Sequence, residues 1–130
     1  MNIPEDVVYT RTHEWVKMIS DTKAEIGLTD YAQQELGDIV FVDLPQEGDP
    51  VTIGEKFADV ESVKAVSDVF SPVTGTVSAV NEVLMDEPGT LNIAPYDSWL
   101  IRVTDITAKE KLLSSAEYQT LLANAESSGD

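Results

Sequence analysis

The sequence predicts a mainly β fold, a sandwich or flattened barrel of short strands with a helical segment at its C-terminal end. Over about the first hundred positions, short runs mixing apolar, β-branched and polar residues are parted by turn residues, which fits such a fold better than a βαβ arrangement. After Trp99-Leu100-Ile101-Arg102-Val103 the periodicity changes from that of strands to that of helices. At 130 residues the chain has the length of one domain and can bury enough surface to fold without cross-links. The expected division is a β core over about residues 7–105 and a helical segment over about 108–125.

Tyr9, Trp15-Val16, Met18 and Ile19 mark a first strand. Lys23-Ala24-Glu25-Ile26-Gly27-Leu28 alternates polar and apolar as its hairpin partner, with Ser20-Asp21-Thr22 as the turn. Thr29 is an N-cap, Asp30 puts a negative charge in the first turn, and Gly37 ends a short helix over residues 30–36. Residues 39–44 are the most apolar run and are expected as a central strand, followed by the turn-rich Pro45-Gln46-Glu47-Gly48-Asp49-Pro50. Val51-Thr52-Ile53 and residues 57–61 are further strands about the turn Gly54-Glu55-Lys56. Residues 73–80 alternate around Gly75, which marks a bulge or a close backbone approach.

Gly37-Asp38-Ile39-Val40-Phe41 is faintly echoed by Ser67-Asp68-Val69-Phe70. Thr107 with Glu110 and Ser114 with Glu117 each fit a capping box, predicting a short helix over 108–113 and a longer one over 115–124. Leu112, Leu113, Tyr118, Leu121 and Leu122 form the stripe that packs on the sheet. Residues 126–130 are small and polar and are expected to fray. Trp15, Phe41, Trp99 and Ile101 are assigned to the core.

Eight Lys and Arg stand against 24 Asp and Glu, a formal charge of -16. That balance argues against nucleic acid or an anionic membrane surface as partner. It serves solubility, and it can also steer the chain toward basic docking sites. Without cysteine and with one histidine, the common zinc frameworks and any disulfide scaffold are excluded. His13 is expected to be a strand histidine with a hydrogen bond. The start of the chain has neither the basic residues nor the apolar run of a signal peptide, so a cytoplasmic protein is expected. Nucleophile elbows, phosphate-cradling glycine loops and calcium-loop spacings are missing from the sequence, so no catalytic constellation of an enzyme acting alone is expected.

The most informative stretch is Glu61-Ser62-Val63-Lys64-Ala65. Phe57-Ala58-Asp59-Val60 before it and Val66-Ser67-Asp68-Val69-Phe70 after it read as paired strands, leaving Lys64 near a hairpin tip. Ser62 suits the first position of a type I turn, which needs no glycine. An ammonium on a flexible stem can be deprotonated and acylated there, which a guanidinium cannot.

These residues, with Ser67-Asp68, Ser71-Pro72 and Gly75 following, closely resemble the lipoyl attachment segment of the glycine cleavage system H proteins. The resemblance extends through Thr12-His13-Glu14-Trp15-Val16, Gly27-Leu28-Thr29-Asp30-Tyr31-Ala32-Gln33 and Leu36-Gly37-Asp38-Ile39-Val40-Phe41-Val42-Asp43-Leu44-Pro45 to Asn81-Glu82, Pro88, Asn92 and Pro95-Tyr96. One departure stands out. The family has Pro-Tyr, two variable residues and Gly-Trp, whereas Pro95-Tyr96-Asp97-Ser98-Trp99 is one residue shorter and lacks the glycine.

The resemblance implies a barrel-sandwich hybrid of the lipoyl-domain type with quasi-two-fold symmetry, and lipoic acid joined by an amide to Lys64. It implies that Glu61 helps the lipoate-attaching enzyme recognise the hairpin, and that Glu14, with Asp68, belongs to a cleft sheltering the loaded arm. The implied partners are glycine decarboxylase (P protein), aminomethyltransferase (T protein) and dihydrolipoyl dehydrogenase (L protein). The rivals are a lipoyl relay to other acceptor domains, a biotin carrier lacking that family's flanking methionines, a Schiff-base enzyme using Lys64, and an acidic binding module.

Overall fold

Strand-period burial closes two antiparallel sheets around one core. The computed structural model describes residues 1–128, and of residues 126–128 the backbone alone. Numbered in chain order, the larger sheet contains β1 (Val8–Tyr9), β2 (Glu14–Ser20), β3 (Lys23–Leu28), β9 (Ile101–Lys109), β8 (Val73–Val80) and β5 (Pro50–Val51), in that spatial order. The smaller sheet has β6 (Lys56–Ser62) between β4 (Ile39–Asp43) and β7 (Val66–Phe70). This is the predicted mainly β class, with β4 and β7, the two echoing segments, at the two edges of the smaller sheet.

Val16, Ile26, Val77 and Val103 from the larger sheet meet Val42, Val60 and Val69 from the smaller in the main core. Each such side chain contributes about 1.5–3 kcal/mol when taken out of water. A second cluster of Tyr9, Trp15, Leu113, Tyr118 and Leu122 lies under α4 (Ser115–Ser128). Period two separates the clusters: Trp15 faces the second, while Glu14 and Val16 on either side of it face the opposite way.

The helix α1 (Asp30–Leu36) begins as the sequence predicts, with Thr29 Oγ accepting the Ala32 amide at 3.2 Å. Gly37 ends it in the left-handed region at φ 75°, donating its amide to Gln33 O. At Gly75 both expected readings hold: the register shifts between Thr74 and Thr76, and a Cβ there would lie 2.7 Å from Thr104 O. The Ser114 and Glu117 capping box forms, with Glu117 N to Ser114 Oγ at 3.2 Å and Ser114 N to Glu117 Oε1 at 2.9 Å.

Several expectations are corrected. The apolar run 39–44 is an edge strand, and Phe41, assigned to the core, is 52% exposed. A bulge between Ile39 and Phe41 turns Phe41 onto the outer face, in a row with Glu61 and Val66. The short helix over 108–113 does not form. Instead β9 runs on to Lys109, which pairs with Val73, and Leu113 exchanges backbone hydrogen bonds with Tyr9. Pairing with two finished strands outweighs one capping box. Trp99 precedes the last strand and lies half-buried under the Arg102 guanidinium, 4.1 Å from its ring centroid.

Two helical turns were not predicted, α2 (Val83–Asp86) and α3 (Thr90–Ile93), each too short to show a period. Of the stretch expected to fray, residues 126–128 continue α4 and residues 129–130 lie outside the described residues. In the shortened loop Asp97 N bonds Ala94 O, and no residue from Pro95 to Trp99 has positive φ, so the missing glycine is not needed. No helix among the described residues is long and apolar enough to cross a membrane.

Candidate functional site

The turn between β6 and β7, the direct hairpin of the smaller sheet, is tied down by several hydrogen bonds. Glu61 pairs with Val66, and Val63-Lys64 forms a two-residue tip closed by Ser62 N to Ala65 O at 2.8 Å. Ser62 turns its buried hydroxyl inward, accepting Lys64 N at 3.3 Å and Ala65 N at 3.1 Å and donating to Ala65 O. Neither tip residue has positive φ, as expected of a turn built without glycine. A further tie, Val63 N to Asp38 O at 3.0 Å, fixes the tip to the segment following α1.

Lys64 is exposed and, among the described residues, in no ion pair. Its stem passes over Gly37, with Cε 3.6 Å from where a Cβ would stand. Glu61 is exposed between Phe41 and Val66. Farther along, Asp43, Asp59 and Asp68 stand in one row across the three strands. Lys56 Nζ reaches Asp59 at 2.6 Å and Asp68 at 3.3 Å. Its bond to Asp59 raises the Lys56 pKa and lowers that of Asp59.

Between β7 and α1 lies a cleft of about 160 Å³, lined by Ser67 and Asp68 on one side and by Tyr31, Ala32, Glu35 and Leu36 on the other, with Thr12, His13 and Leu28. Asp68 lines this cleft beside Ser67. Glu14 does not line the cleft. It lies behind Thr12, 1% exposed, its Oε1 accepting the hydroxyls of Thr10 at 2.6 Å and Thr12 at 2.5 Å.

Glu14 Oε2 is buried with no hydrogen-bond partner. Burial pushes the Glu14 pKa up to about 7, against the pull of the two threonine hydroxyls and of the nearby Phe70 backbone. Glu110 adds a like charge nearby, and its own pKa is raised by burial. Thr12 also borders a second cleft of about 270 Å³ with Arg11, Phe70 and Glu110. A carboxylate with one empty acceptor site behind a hydroxyl can take a cation or a proton.

His13 was expected within a strand. It stands in the bend before β2 at φ 73°, and its hydrogen bond is to the Tyr118 hydroxyl, at 2.8 Å from Nδ1. Sequence reasoning missed Thr10, Thr12 and Tyr118 as members of the site. The threonine spacing about Glu14 was the only available signal, and Tyr118 is 104 residues away from Glu14 in the chain, bound to its neighbour through |i−j| = 105. No cluster of three or more metal-binding side chains occurs among the described residues.

A lysine displayed on the hairpin of a small sheet that shares its core with a larger one places the chain among the barrel-sandwich hybrids of the lipoyl-domain type. The crystal structure of a glycine cleavage system H protein from Mycobacterium marinum superposes with a TM-score of 0.88 at 38% identity, covering 93% of this chain and 99% of that one. Residues 7–125 match the family described as Glycine cleavage H-protein, and the chain belongs to that family. It is 60% identical over 119 residues to the glycine cleavage system H protein of Lachnoclostridium phytofermentans, covering 92% of this chain and 94% of the relative. To that of Nitratidesulfovibrio vulgaris it is 49% identical over 124 residues, covering 95% and 97%.

Proposed function

We propose that Lys64 bears lipoic acid in amide linkage and that the chain is a carrier, not itself an enzyme. It takes an aminomethyl group from glycine decarboxylase to aminomethyltransferase and is reset by dihydrolipoyl dehydrogenase. The observation that carries this reading is an exposed, unpaired lysine on a tip whose shape Ser62 fixes. When bound, lipoic acid supplies a dithiolane that accepts the aminomethyl group, yields it and is reoxidised.

The chain's own residues do the rest. Lys64 Nζ, exposed to the attaching enzyme, loses a proton and is acylated, and Glu61 on the outer face offers that enzyme a carboxylate three positions before it. Ser67 and Asp68 lead from the tip along the cleft, and Thr12 closes it in front of Glu14. Thr12, by turning aside, would open the unpartnered Oε2 of Glu14 to an ammonium, which would meet it in a charge-assisted hydrogen bond. Asp68, held by Lys56, stands as the second acidic wall.

Intact mass after expression with lipoate and its attaching enzyme tests the attachment. A lipoyl increment mapped to Lys64 is expected, and an unmodified chain overturns the carrier reading. Glycine-dependent release of carbon dioxide with the three partner enzymes then separates the aminomethyl carrier from a relay of lipoyl groups, which would show the same increment.

A further inference from the structure

We infer that Tyr118, on the C-terminal helix, is a positioning residue for the cleft beside Lys64, its hydroxyl tying α4 to His13 and Thr29. The inference rests on the reading of that cleft as the shelter for the arm. Helix α4 contributes no residue to the cleft, yet Tyr118 is fully buried and its hydroxyl lies 2.8 Å from both His13 Nδ1 and Thr29 Oγ. Its ring stacks on Tyr9 at 4.6 Å and 2°, and meets the His13 ring edge-on at 5.7 Å.

Both residues held by Tyr118 set the cleft. Thr29 is the N-cap of α1, the helix that carries Tyr31, Ala32 and Glu35 into the lining. His13 lines the cleft itself and packs on Tyr31 at 4.6 Å. Its carbonyl also accepts the Thr29 amide at 3.1 Å. His13 sits at φ 73°, a conformation uncommon outside glycine that persists where the surroundings over-determine it.

The Tyr118 hydroxyl, one donor with two acceptor sites, can serve both neighbours at once, donating to one of Thr29 Oγ and His13 Nδ1 and accepting from the other, while Thr29 Oγ also accepts the Ala32 amide. Burial lowers the His13 pKa, in keeping with a neutral imidazole. Phenylalanine would fill the same space and keep the stacking, so the hydroxyl alone distinguishes a tie to the cleft from a helix anchor.

Tyr118→Phe is therefore the test, in the full chain. His13 is the only histidine, so ¹⁵N spectra report one imidazole, and its Nδ1 signal should move in the variant. Amide exchange at Ala32 and Gln33 should quicken about fivefold, near the factor that one net hydrogen bond is worth, while exchange in β8 stays as it was. In the lipoylated, loaded protein, hydrolysis of the aminomethyl thioether by water to thiol, formaldehyde and ammonium should quicken by a similar factor of about five. An unmoved Nδ1 signal, unchanged exchange at the start of α1, or equal quickening throughout β8 would overturn the inference. So would a moved signal with an unchanged rate of loss in the loaded protein. If the unsubstituted chain takes up no lipoyl group, the carrier reading fails, and the imidazole and exchange measurements still decide whether Tyr118 sets the wall.

Discussion

Lys64 and Glu14 are opposite in charge and in setting. The lysine stands in water on a tip stiffened by one serine, and the carboxylate is 1% exposed with half its acceptor capacity unused. A group that must be modified by another enzyme needs access and a defined shape. A group that holds a cation away from water needs the opposite, a site where ionisation alone is costly. The exposed lysine is set by four consecutive residues, Ser62 to Ala65, whereas the cleft beside it is lined from the segment before β2, the end of β3, α1 and β7.

The most severe way to break the exposed half is Lys64→Arg. The charge is kept and the fold should change by less than about 0.5 kcal/mol, while lipoylation and glycine turnover should vanish because a guanidinium is not acylated. Intact mass and the reconstituted assay check this, and turnover by the variant would mean that another residue carries the arm.

The buried half is sharpened by Glu14→Gln. A carboxyl with pKa about 7 in the folded chain, against 4.5 ordinarily, binds its proton more tightly when folded. Its contribution to stability is complete below about pH 4.5 and is lost as pH rises through 7, up to about 3 kcal/mol at about 1.4 kcal/mol per pKa unit. Urea unfolding at pH 5 and pH 8 should show the wild type losing ground to the glutamine variant by up to that amount. Parallel curves would show that Glu14 titrates as an exposed carboxylate does. In the loaded protein, Glu14→Ala should speed spontaneous loss of formaldehyde and ammonium with lipoylation unaffected, and an unchanged rate would assign the shelter to other residues.

Ser62→Ala reaches the exposed half more gently. Two tip amides lose their acceptor, for about 1 kcal/mol of stability and slower lipoylation at equal enzyme concentration. A variant lipoylated at the wild-type rate would show that the attaching enzyme does not need the stiff turn. The smallest effect is expected from salt. With a charge of -16, association with partner enzymes should slow as the Debye length falls from about 8 Å toward about 3 Å at 1 M, mainly in the association rate. Flat rates across the series would assign the acidity to solubility alone.

Much of this arrangement was legible before any coordinates. Turn chemistry placed the N-cap at Thr29, the end of α1 at Gly37 and the bulge at Gly75, since each depends on its immediate neighbours. Lys64 at the tip was legible for the same reason, though only the family resemblance singled it out as an attachment site. Phe41 was misjudged because one bulged residue reverses which face a strand presents, and a bulge leaves no mark in an apolar run. The false helix over 108–113 had a sound local signal that lost to long-range pairing with β8 and Tyr9. Tyr118 read as one member of an apolar stripe. Its hydroxyl partners lie 105 and 89 positions away, and periodicity carries no information about either.

The hydrogen bond from Val63 to Asp38 has a consequence for local concentration. A tethered group explores the volume that its tether can reach, and for short flexible tethers its effective concentration is on the order of millimolar. With the tip pinned beside α1, the volume open to a group joined to Lys64 would be fixed relative to the cleft instead of drifting with a loose loop. A group carried on Lys64 would therefore meet Ser67 and Asp68 at a concentration set by geometry, however dilute the protein itself.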